Sequence, residues 1–233
     1  MPGLEHNPCA YIKLKKRDIT SQHLTDAQAR KFLRALPNVD IPQVYKDIML
    51  LQFQTVARVT EVAGMTWDEL DLDHGVWELP AERSKNKRGH RVLLSKQSVA
   101  LLERLKEAAE TEAAEKGESE SVYVFPARRS SGHVPGTLVA RYLREKRKEL
   151  GVPDGMGTHG FRHSAMTQLA SLGCGKELRD RISNHKDGSV DAIYQHYEHD
   201  TEAGEWWQKW ADRMDVLAAD NVTTMKRKEV GNE

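Results

Sequence analysis

Six residues with side chains suited to phosphodiester cleavage lie in four short segments, far apart along the chain. They are Arg58, Lys85, His159, Arg162, His185 and Tyr194. A guanidinium presents a planar fork of donors that matches two oxygens of a phosphate at once. A tyrosine hydroxyl can act as the nucleophile, a lysine can protonate the leaving oxygen, and histidines can position groups or move protons. These residue types therefore predict an attack on a phosphodiester that uses no metal ion and no other cofactor.

Charge is balanced overall but unevenly distributed. The 35 Lys and Arg residues offset the 35 Asp and Glu residues. Basic residues cluster at 13–17, 85–91 and 141–148, and acidic residues at 68–73 and 107–120. A neutral protein with segregated charge can still offer one positive face to DNA, although each run alone is also typical of a solvated helix face. The predicted DNA contacts are Lys87, Arg88, His90, Arg141, Arg144 and His163.

Composition indicates a soluble globular protein, since 39% of the residues are hydrophobic and 30% are charged. The sequence contains no apolar run as long as a bilayer span and no apolar block of a signal peptide near residue 1. We therefore expect a cytoplasmic protein without a membrane partner. The two cysteines, Cys9 and Cys174, predict neither a disulfide nor a metal site.

Hydrophobic periodicity and turn signals predict a mainly helical α+β domain with one small three-stranded antiparallel sheet. Three short apolar runs between Trp67 and Ser95, separated by 73–75 and 86–89, form the sheet, and the last turn is basic. Thr25 and Gln28 make a capping box at the start of the first helix. Helices are predicted at about 25–37, 43–57, 60–65, 95–114, 137–150, 159–172, 176–183, 190–197 and 202–217.

Four segments of the chain resemble the boxes of the tyrosine recombinases, also called phage integrases. The segments are Thr55–Trp67 around Arg58, Trp77–Ser95 around Lys85, Thr158–Thr167 with its histidine-x-x-arginine run, and Ile182–Tyr194. The second segment is most similar to integrases of satellite phages. All four occur in the family's order and together span residues from about 20 to 215. One box would be a weak signal, but four in order are specific.

The resemblance implies a catalytic domain shared in architecture with type IB topoisomerases, and it implies a role for each residue. Arg58 and Arg162 clamp the scissile phosphate, with Glu61 supporting the site. Lys85 is the general acid. The remaining roles are proton transfer by His159, donation to a phosphate oxygen by His185, and formation of a 3′-phosphotyrosyl link by Tyr194.

The resemblance also implies partners and an organisation of the chain. The partners are double-stranded DNA attachment sites, further protomers that form a tetramer on DNA, and directionality and DNA-bending proteins of a prophage or integrative element in the nucleoid. We expect an arm or truncated linker at 1–20, the catalytic domain at 21–217, and a flexible tail at 218–233. The family usually carries a DNA-binding domain upstream, so we expect a catalytic-domain fragment or a shortened relative.

Several residues have alternative interpretations. Lys87 competes with Lys85, and Tyr197 competes with Tyr194 although the family spacing selects Tyr194. His159 and His163 could begin a zinc pair, but no further ligand completes it in the sequence. Trp206, Trp207 and Trp210 favour packing of the last helix over stacking on bases, and their apolar face could contact a neighbouring protomer. Val56 and Asn184 stand where the family usually has glycine.

Two further functions stay open at this point. A DNA-binding or decoy module could keep the fold and perform no chemistry. A relaxing topoisomerase or a hairpin-forming resolvase would use the same chemistry with a different outcome. The complete set of six residues favours an enzyme over a binding module, and the close match of the segment around Lys85 favours recombination over relaxation.

Overall fold

A computed structural model describes residues 22–128, 132–185 and 200–219. Within them the helices are α1 (Asp26–Ala35), α2 (Gln43–Thr55), α3 (Val59–Ala63), α4 (Lys96–Lys116), α5 (Gly136–Glu145), α6 (Arg147–Leu150), α7 (His159–Ser171), α8 (Lys176–Ile182) and α9 (Asp200–Ala218). The strands are β1 (Leu70–Asp71), β2 (Val76–Leu79) and β3 (His90–Leu93). The predicted N-terminal arm, the helix at 190–197 and the C-terminal tail beyond residue 219 lie outside the described residues.

The start of α1 follows the sequence signal. The Thr25 hydroxyl accepts a hydrogen bond from the Gln28 backbone N–H, and the Gln28 side chain accepts one from the Thr25 backbone N–H. These reciprocal bonds satisfy two of the donors that every helix leaves unpaired at its first turn. The predicted capping box is confirmed.

The core lies where α1, α2, α7 and α9 meet. Phe32, Phe53, Phe161 and Trp210 are fully buried there, with ring centroids 4.6 to 6.0 Å apart between neighbouring rings. Aromatic side chains bury a large area and interlock at these distances. Helices α2 and α7, which carry the segments around Arg58 and Arg162, are thereby fixed against each other.

The sheet has the order β1-β2-β3 with both pairs antiparallel, as predicted. In the longer pair, Trp77 lies opposite Val92 and Leu79 lies opposite His90. The alternation of side chains places Trp77, Leu79 and Val92 in the core. Residues 80–89 form the connection from β2 to β3, which we call the lysine hairpin.

One predicted helix differs in detail. The single helix expected at 137–150 is divided into α5 and α6, because the backbone at Lys146 turns to φ −98° and ψ 12°. Two isolated antiparallel bridges, Thr66 with Tyr123 and Pro126 with His133, lie outside the three strands.

The last helix packs within its own chain. Ala203, Trp207, Trp210, Met214 and Leu217 are buried, and α9 contacts α1, α2, α7, α8 and β3. Trp207 and Trp210 are covered by the core of their own chain, whereas Trp206 is partly exposed, and the contact of this face with a neighbouring protomer stays a prediction. The prediction that Trp207 and Trp210 pack a helix is confirmed. No helix among the described residues combines the length and apolarity needed to cross a bilayer.

Candidate active site

The turn between α2 and α3 positions the first arginine, and α9 holds the turn in place. The indole N–H of Trp210 donates to the Phe53 carbonyl (2.7 Å), and that of Trp207 donates to the Thr55 carbonyl (3.0 Å). Carbonyls in the last turn of a helix have no partner inside it, so these two donors complete the end of α2. The chain then reverses direction at Val56, and α3 begins one residue after Arg58.

Val56 adopts a backbone conformation that is rare for its side chain. Its φ is 61° and its ψ is 13°, in the left-handed region, and its side chain is fully buried. A β-branched residue is strained there by roughly 1–3 kcal/mol. This geometry turns the Val56 carbonyl toward Arg162, whose Nη1 donates to it at 2.8 Å. A glycine would adopt the same φ without strain, which is a physical reason for the glycine that the family usually has at this position.

Arg58 is held by Glu61. The Glu61 carboxylate accepts from the Arg58 backbone N–H (2.9 Å) and from Nη1 of its guanidinium (2.8 Å). The Glu61 side chain is buried, and the Arg58 side chain is 15% exposed. The contact orients the guanidinium, whose side chain keeps a small exposed fraction. This geometry fits the supporting role predicted for Glu61.

Arg162 projects from the first turn of α7 into a buried position beside Arg58. Only 3% of the residue is exposed, and Nη2 has no hydrogen-bond partner among the described residues. Burial, and then the charge of Arg58, lower the pKa of Arg162 to about 10, with Glu61 acting in the opposite direction. The guanidinium is still charged at neutral pH. A buried charge with unpaired donors is unfavourable unless an anion compensates it, so the site has a strong requirement for an anionic ligand.

Two histidines lie along α7 next to these arginines. The rings of His159 and His163 are 4.6 Å apart and nearly perpendicular. Burial lowers the pKa of His159 to about 4, and the charges of His163, Arg162, Arg58 and Lys85 act in the same direction. Burial and the charge of Arg162 also lower the pKa of His163. His159 is therefore neutral at pH 7 and able to accept a proton.

The lysine hairpin is anchored by an arginine that sequence reasoning missed. Arg83 makes two hydrogen bonds to the buried Glu69 carboxylate, at 2.5 and 2.6 Å, and a third to the Glu61 carbonyl at 3.2 Å. Glu69 also accepts from the indole N–H of Trp77 at 2.9 Å. This joins the start of the hairpin to the helix that follows Arg58. In the sequence, Arg83 is one basic residue among several, and nothing marks Glu69 as its partner.

The structure separates the two candidate lysines of the hairpin. Lys87 has a φ of 55°, and its Nζ donates to the Glu82 carbonyl (3.3 Å) within the same turn. Lys85 is exposed, and its charge acts on His159. The position of Lys85 fits the role predicted for it better than that of Lys87 does.

His185 follows α8 and faces the same cluster. Its backbone N–H donates to the Asp180 carbonyl (2.9 Å), and its Nδ1 lies 3.9 Å from the Asp180 carboxylate. Burial and the charge of Arg162 lower the pKa of His185, and Asp180 raises it. The charges of Arg58 and Arg162 thus act on both His159 and His185, so these four residues lie within electrostatic range of one another. Tyr194 and its competitor Tyr197 lie outside the described residues.

His90, a predicted DNA contact, lies instead between the sheet and the last two helices. Its Nε2 is 3.3 Å from the Ile182 carbonyl, and its ring lies 6.2 Å from that of Trp207. Burial lowers the pKa of His90 to about 4, so the ring is neutral and Nε2–H donates to the carbonyl. The prediction was wrong because the sequence did not indicate that α9 covers this end of β3.

The remaining predicted DNA contacts are dispersed. Arg88 is exposed on the hairpin, and Arg144 is exposed on α5. Arg141 lies 3.5 Å from the Glu145 carboxylate and over the Tyr142 ring. Among the described residues, no group of three or more His, Cys, Asp or Glu could hold a metal ion, so the zinc alternative for His159 and His163 gains no third ligand there.

Comparison with known proteins identifies the class of protein to which this site belongs. The model of the phage integrase family matches residues 22–201, which is most of the chain. The chain therefore belongs to the phage integrase family, the tyrosine recombinases, as its four boxes predicted.

Particular relatives support the same assignment. The chain is 26% identical over 213 residues to prophage integrase IntA of Escherichia coli (strain K12), covering 91% of this chain and 48% of the relative. It is 29% identical over 182 residues to the integrase of Enterobacteria phage P4, covering 71% of this chain and 39% of that integrase. The chain thus spans about half the length, or less, of these curated relatives.

A solved structure shows the same fold. The XerH site-specific recombinase, in a pre-cleavage complex with its difH substrate, superposes with a TM-score of 0.59 at 16% identity. The match covers 79% of this chain and 53% of the XerH chain. The predicted fold class, a helical tyrosine recombinase catalytic domain with a small antiparallel sheet, is confirmed.

Proposed function

We propose that this chain is the catalytic domain of a site-specific tyrosine recombinase, which cuts one DNA strand at a time and rejoins it to a partner strand during integration or excision of a prophage or integrative element. The observation that carries this proposal is the buried guanidinium of Arg162 beside Arg58, whose Nη2 has no partner in the described part of the chain. The scissile phosphate is the anion that the two arginines would compensate.

The reaction exchanges one phosphodiester for another. The Tyr194 hydroxyl oxygen attacks the phosphorus, the bond from phosphorus to the 5′ oxygen breaks, and a 3′-phosphotyrosyl link forms. The tyrosine proton leaves through a base, and the 5′ oxygen receives a proton from Lys85. A 5′-hydroxyl from another strand reverses these steps and releases Tyr194. Arg58 and Arg162 stabilise the charge that builds on the non-bridging oxygens in the transition state.

The electrostatics of the cluster support a role for two histidines in the proposed reaction. His159 has a pKa lowered to about 4 by burial and nearby cations, so it is neutral and can accept a proton when the tyrosine attacks. A bound phosphate adds negative charge that raises this pKa toward neutrality and improves His159 as a proton acceptor. His185, next to the same arginines, donates to a non-bridging oxygen.

Double-stranded attachment-site DNA is the proposed substrate, and the XerH recombinase, solved with its difH substrate, is the fold neighbour that supports it. Lys87, Arg88, Arg141, Arg144 and His163 are the proposed contacts to the duplex. We also propose that further protomers assemble on the DNA as a tetramer in the nucleoid, with directionality and DNA-bending proteins as accessory partners.

Covalent trapping tests this proposal even when the target sequence is unidentified. The chain is mixed with duplexes that carry random sequence around one 5′-bridging phosphorothiolate, and covalent adducts are isolated on a denaturing gel and sequenced. The released 5′-thiol rejoins poorly, so the adduct accumulates. We expect a protease-sensitive adduct that disappears in Tyr194→Phe and persists in Tyr197→Phe.

DNA binding without an adduct would identify a DNA-binding module that performs no chemistry. If the chain shifts the mobility of the duplexes and forms no adduct, while Tyr194→Phe binds equally well, the enzymatic proposal is refuted. Relaxation of supercoiled plasmids of any sequence would instead indicate a topoisomerase.

A further inference from the structure

Asn86, in the lysine hairpin, joins the hairpin to two other parts of the site. Its Oδ1 accepts from Nη2 of Arg58 at 3.4 Å. Its Nδ2 donates to the carbonyl of Asn184, the residue before His185. The Asn184 side chain returns a contact to the hairpin, because its Nδ2 donates to the Ser84 hydroxyl at 3.2 Å. We call these three contacts the asparagine interlock.

The interlock brackets Lys85. Ser84 is 1% exposed and Asn86 is half-buried, and between them Lys85 is exposed. Arg83 adds its contacts to Glu69 and to the Glu61 carbonyl on the preceding side. An exposed lysine has four rotatable side-chain bonds, so the position of its ammonium group depends on how firmly its backbone is held. Here the residues on both sides of Lys85 are fixed.

The chemistry of the interlock suits an asparagine. One amide supplies the acceptor for the Arg58 guanidinium and the donor for the Asn184 carbonyl, and an aspartate could not make the second bond. Asn184 takes part with a φ of 46°, a conformation that asparagine tolerates better than most other residues. The two asparagines are 98 residues apart in the chain. Nothing in the sequence pairs them.

We infer that Asn86 is a positioning residue of the cleavage reaction, which holds Lys85 where it can protonate the leaving 5′ oxygen. This inference rests on the proposed function. Asn86 acts through the hairpin, and it links the placement of the general acid to Arg58 and to the segment that leads to His185.

A change of leaving group isolates this role. An alkoxide leaving group needs a proton as the bond to phosphorus breaks, and a thiolate does not. A variant that has lost only the delivery of that proton should therefore be impaired on an ordinary phosphodiester and nearly normal on a 5′-bridging phosphorothiolate. A variant with a damaged fold or damaged arginines should be impaired on both.

The experiment compares single-turnover cleavage rates of the full chain on the two substrates. Both substrates carry the target sequence that is recovered by covalent trapping. The variants are Asn86→Ala, Lys85→Ala and, as a matched control, Asn38→Ala, since Asn38 is an exposed asparagine at the end of α1. We expect Asn86→Ala to cleave the phosphodiester about 10- to 100-fold more slowly than the wild type does. On the phosphorothiolate its cleavage rate should lie within about threefold of the wild-type rate. The loss on the phosphodiester is bounded by the contribution of a general acid, which is about 10²–10⁴-fold. Lys85→Ala should show the larger loss and the same recovery.

Three outcomes overturn the inference while the proposed function survives: unchanged cleavage by Asn86→Ala, an equal loss on both substrates, or a loss shared by Asn38→Ala. Failure of the wild type on both substrates would instead refute the proposed function.

Backbone hydrogen exchange tests the asparagine interlock separately. Asn86→Ala should exchange faster at 82–90 without a change in the helices α1 and α2, and unchanged exchange in the hairpin would overturn the interlock whatever the cleavage assay gives.

Discussion

Replacing Arg162 by methionine is expected to stabilise the DNA-free protein while it abolishes cleavage. Burial and the charge of Arg58 lower the pKa of Arg162 to about 10, well below the ordinary value of a guanidinium. This lowering corresponds to about 3 kcal/mol by which the folded state disfavours the charged form. Methionine has a similar length and no charge, so the substitution removes this cost.

The hydrogen bond to Val56 reduces the gain. Nη1 of Arg162 donates to the Val56 carbonyl at 2.8 Å, and a bond from a charged donor contributes about 1.5–3 kcal/mol. The expected net effect is therefore a gain of about 1 kcal/mol in the free energy of unfolding, or at the least no loss. An arginine that is paired with a buried carboxylate would behave in the opposite way.

Arg83 provides that matched control. It makes two bonds to the buried Glu69 carboxylate, and its own side chain is 25% exposed. Arg83→Met leaves Glu69 without its counter-charge, and because the pair is partly solvated we expect a loss of about 2–3 kcal/mol.

Urea unfolding at neutral pH and low salt measures both variants against the wild type. Added sulfate stabilises folded proteins in general, but it should raise the stability of the wild type more than that of Arg162→Met, because in the wild type the anion also compensates the buried guanidinium. If Arg162→Met loses 2 kcal/mol or more, as Arg83→Met should, the buried charge is not the cost that the structure indicates.

Three further predictions concern single residues. Val56→Gly should be about 1 kcal/mol more stable than Val56→Ala in urea unfolding, because glycine adopts φ 61° without strain; a less stable glycine variant would refute the strain. The folded-state pKa of His90 is about 4, below the ordinary 6.5, so its contribution to stability is complete above pH 6.5 and is lost as the pH falls toward 4. Relative to His90→Gln, the wild type should lose about 2 kcal/mol by pH 5 and about 3 kcal/mol by pH 4, and parallel curves for the two proteins would contradict the burial of this ring. Lys87→Ala should keep wild-type cleavage on both the oxygen and the sulfur substrate at saturating DNA, and a loss on the oxygen substrate alone would transfer the general-acid role from Lys85 to Lys87.

Local signals in the sequence predicted the elements well. The capping box at Thr25 and Gln28 marked the start of α1, and Ser95 marked the start of α4, where its hydroxyl accepts from the Ser98 backbone N–H. The short apolar runs around Trp77 and Val92, separated by turn residues, predicted the sheet. These features depend on neighbours within a few residues or on one periodicity, which a sequence displays directly.

Long-range partners could not be predicted in this way. His90 appeared as one cation of a basic turn, and its burial depends on Trp207 and on the Ile182 carbonyl, 92 residues away. Asn86 appeared as a turn residue, and its two partners come from the start of α3 and from the end of α8. The tryptophans of α9 predicted packing but not its location, because a helix pattern shows which face is apolar and not what covers it.

The candidate site was predictable as a set of residue types and not as a geometry. No sequence pattern indicates that Nη2 of Arg162 has no partner among the described residues, or that Val56 directs its carbonyl toward the same guanidinium. The arginine pair is nevertheless the feature that best explains the site, since it creates the requirement for an anion.

The most direct test of the proposed reaction is to identify the residue that carries the DNA. The adduct trapped on the phosphorothiolate duplex is digested with nuclease and trypsin, and the modified peptide is sequenced by mass spectrometry. We expect a nucleotide attached through a 3′-phosphate to Tyr194. Attachment at Tyr197 or at any other residue, or an unmodified chain under conditions in which the duplex is bound, would contradict the proposed reaction.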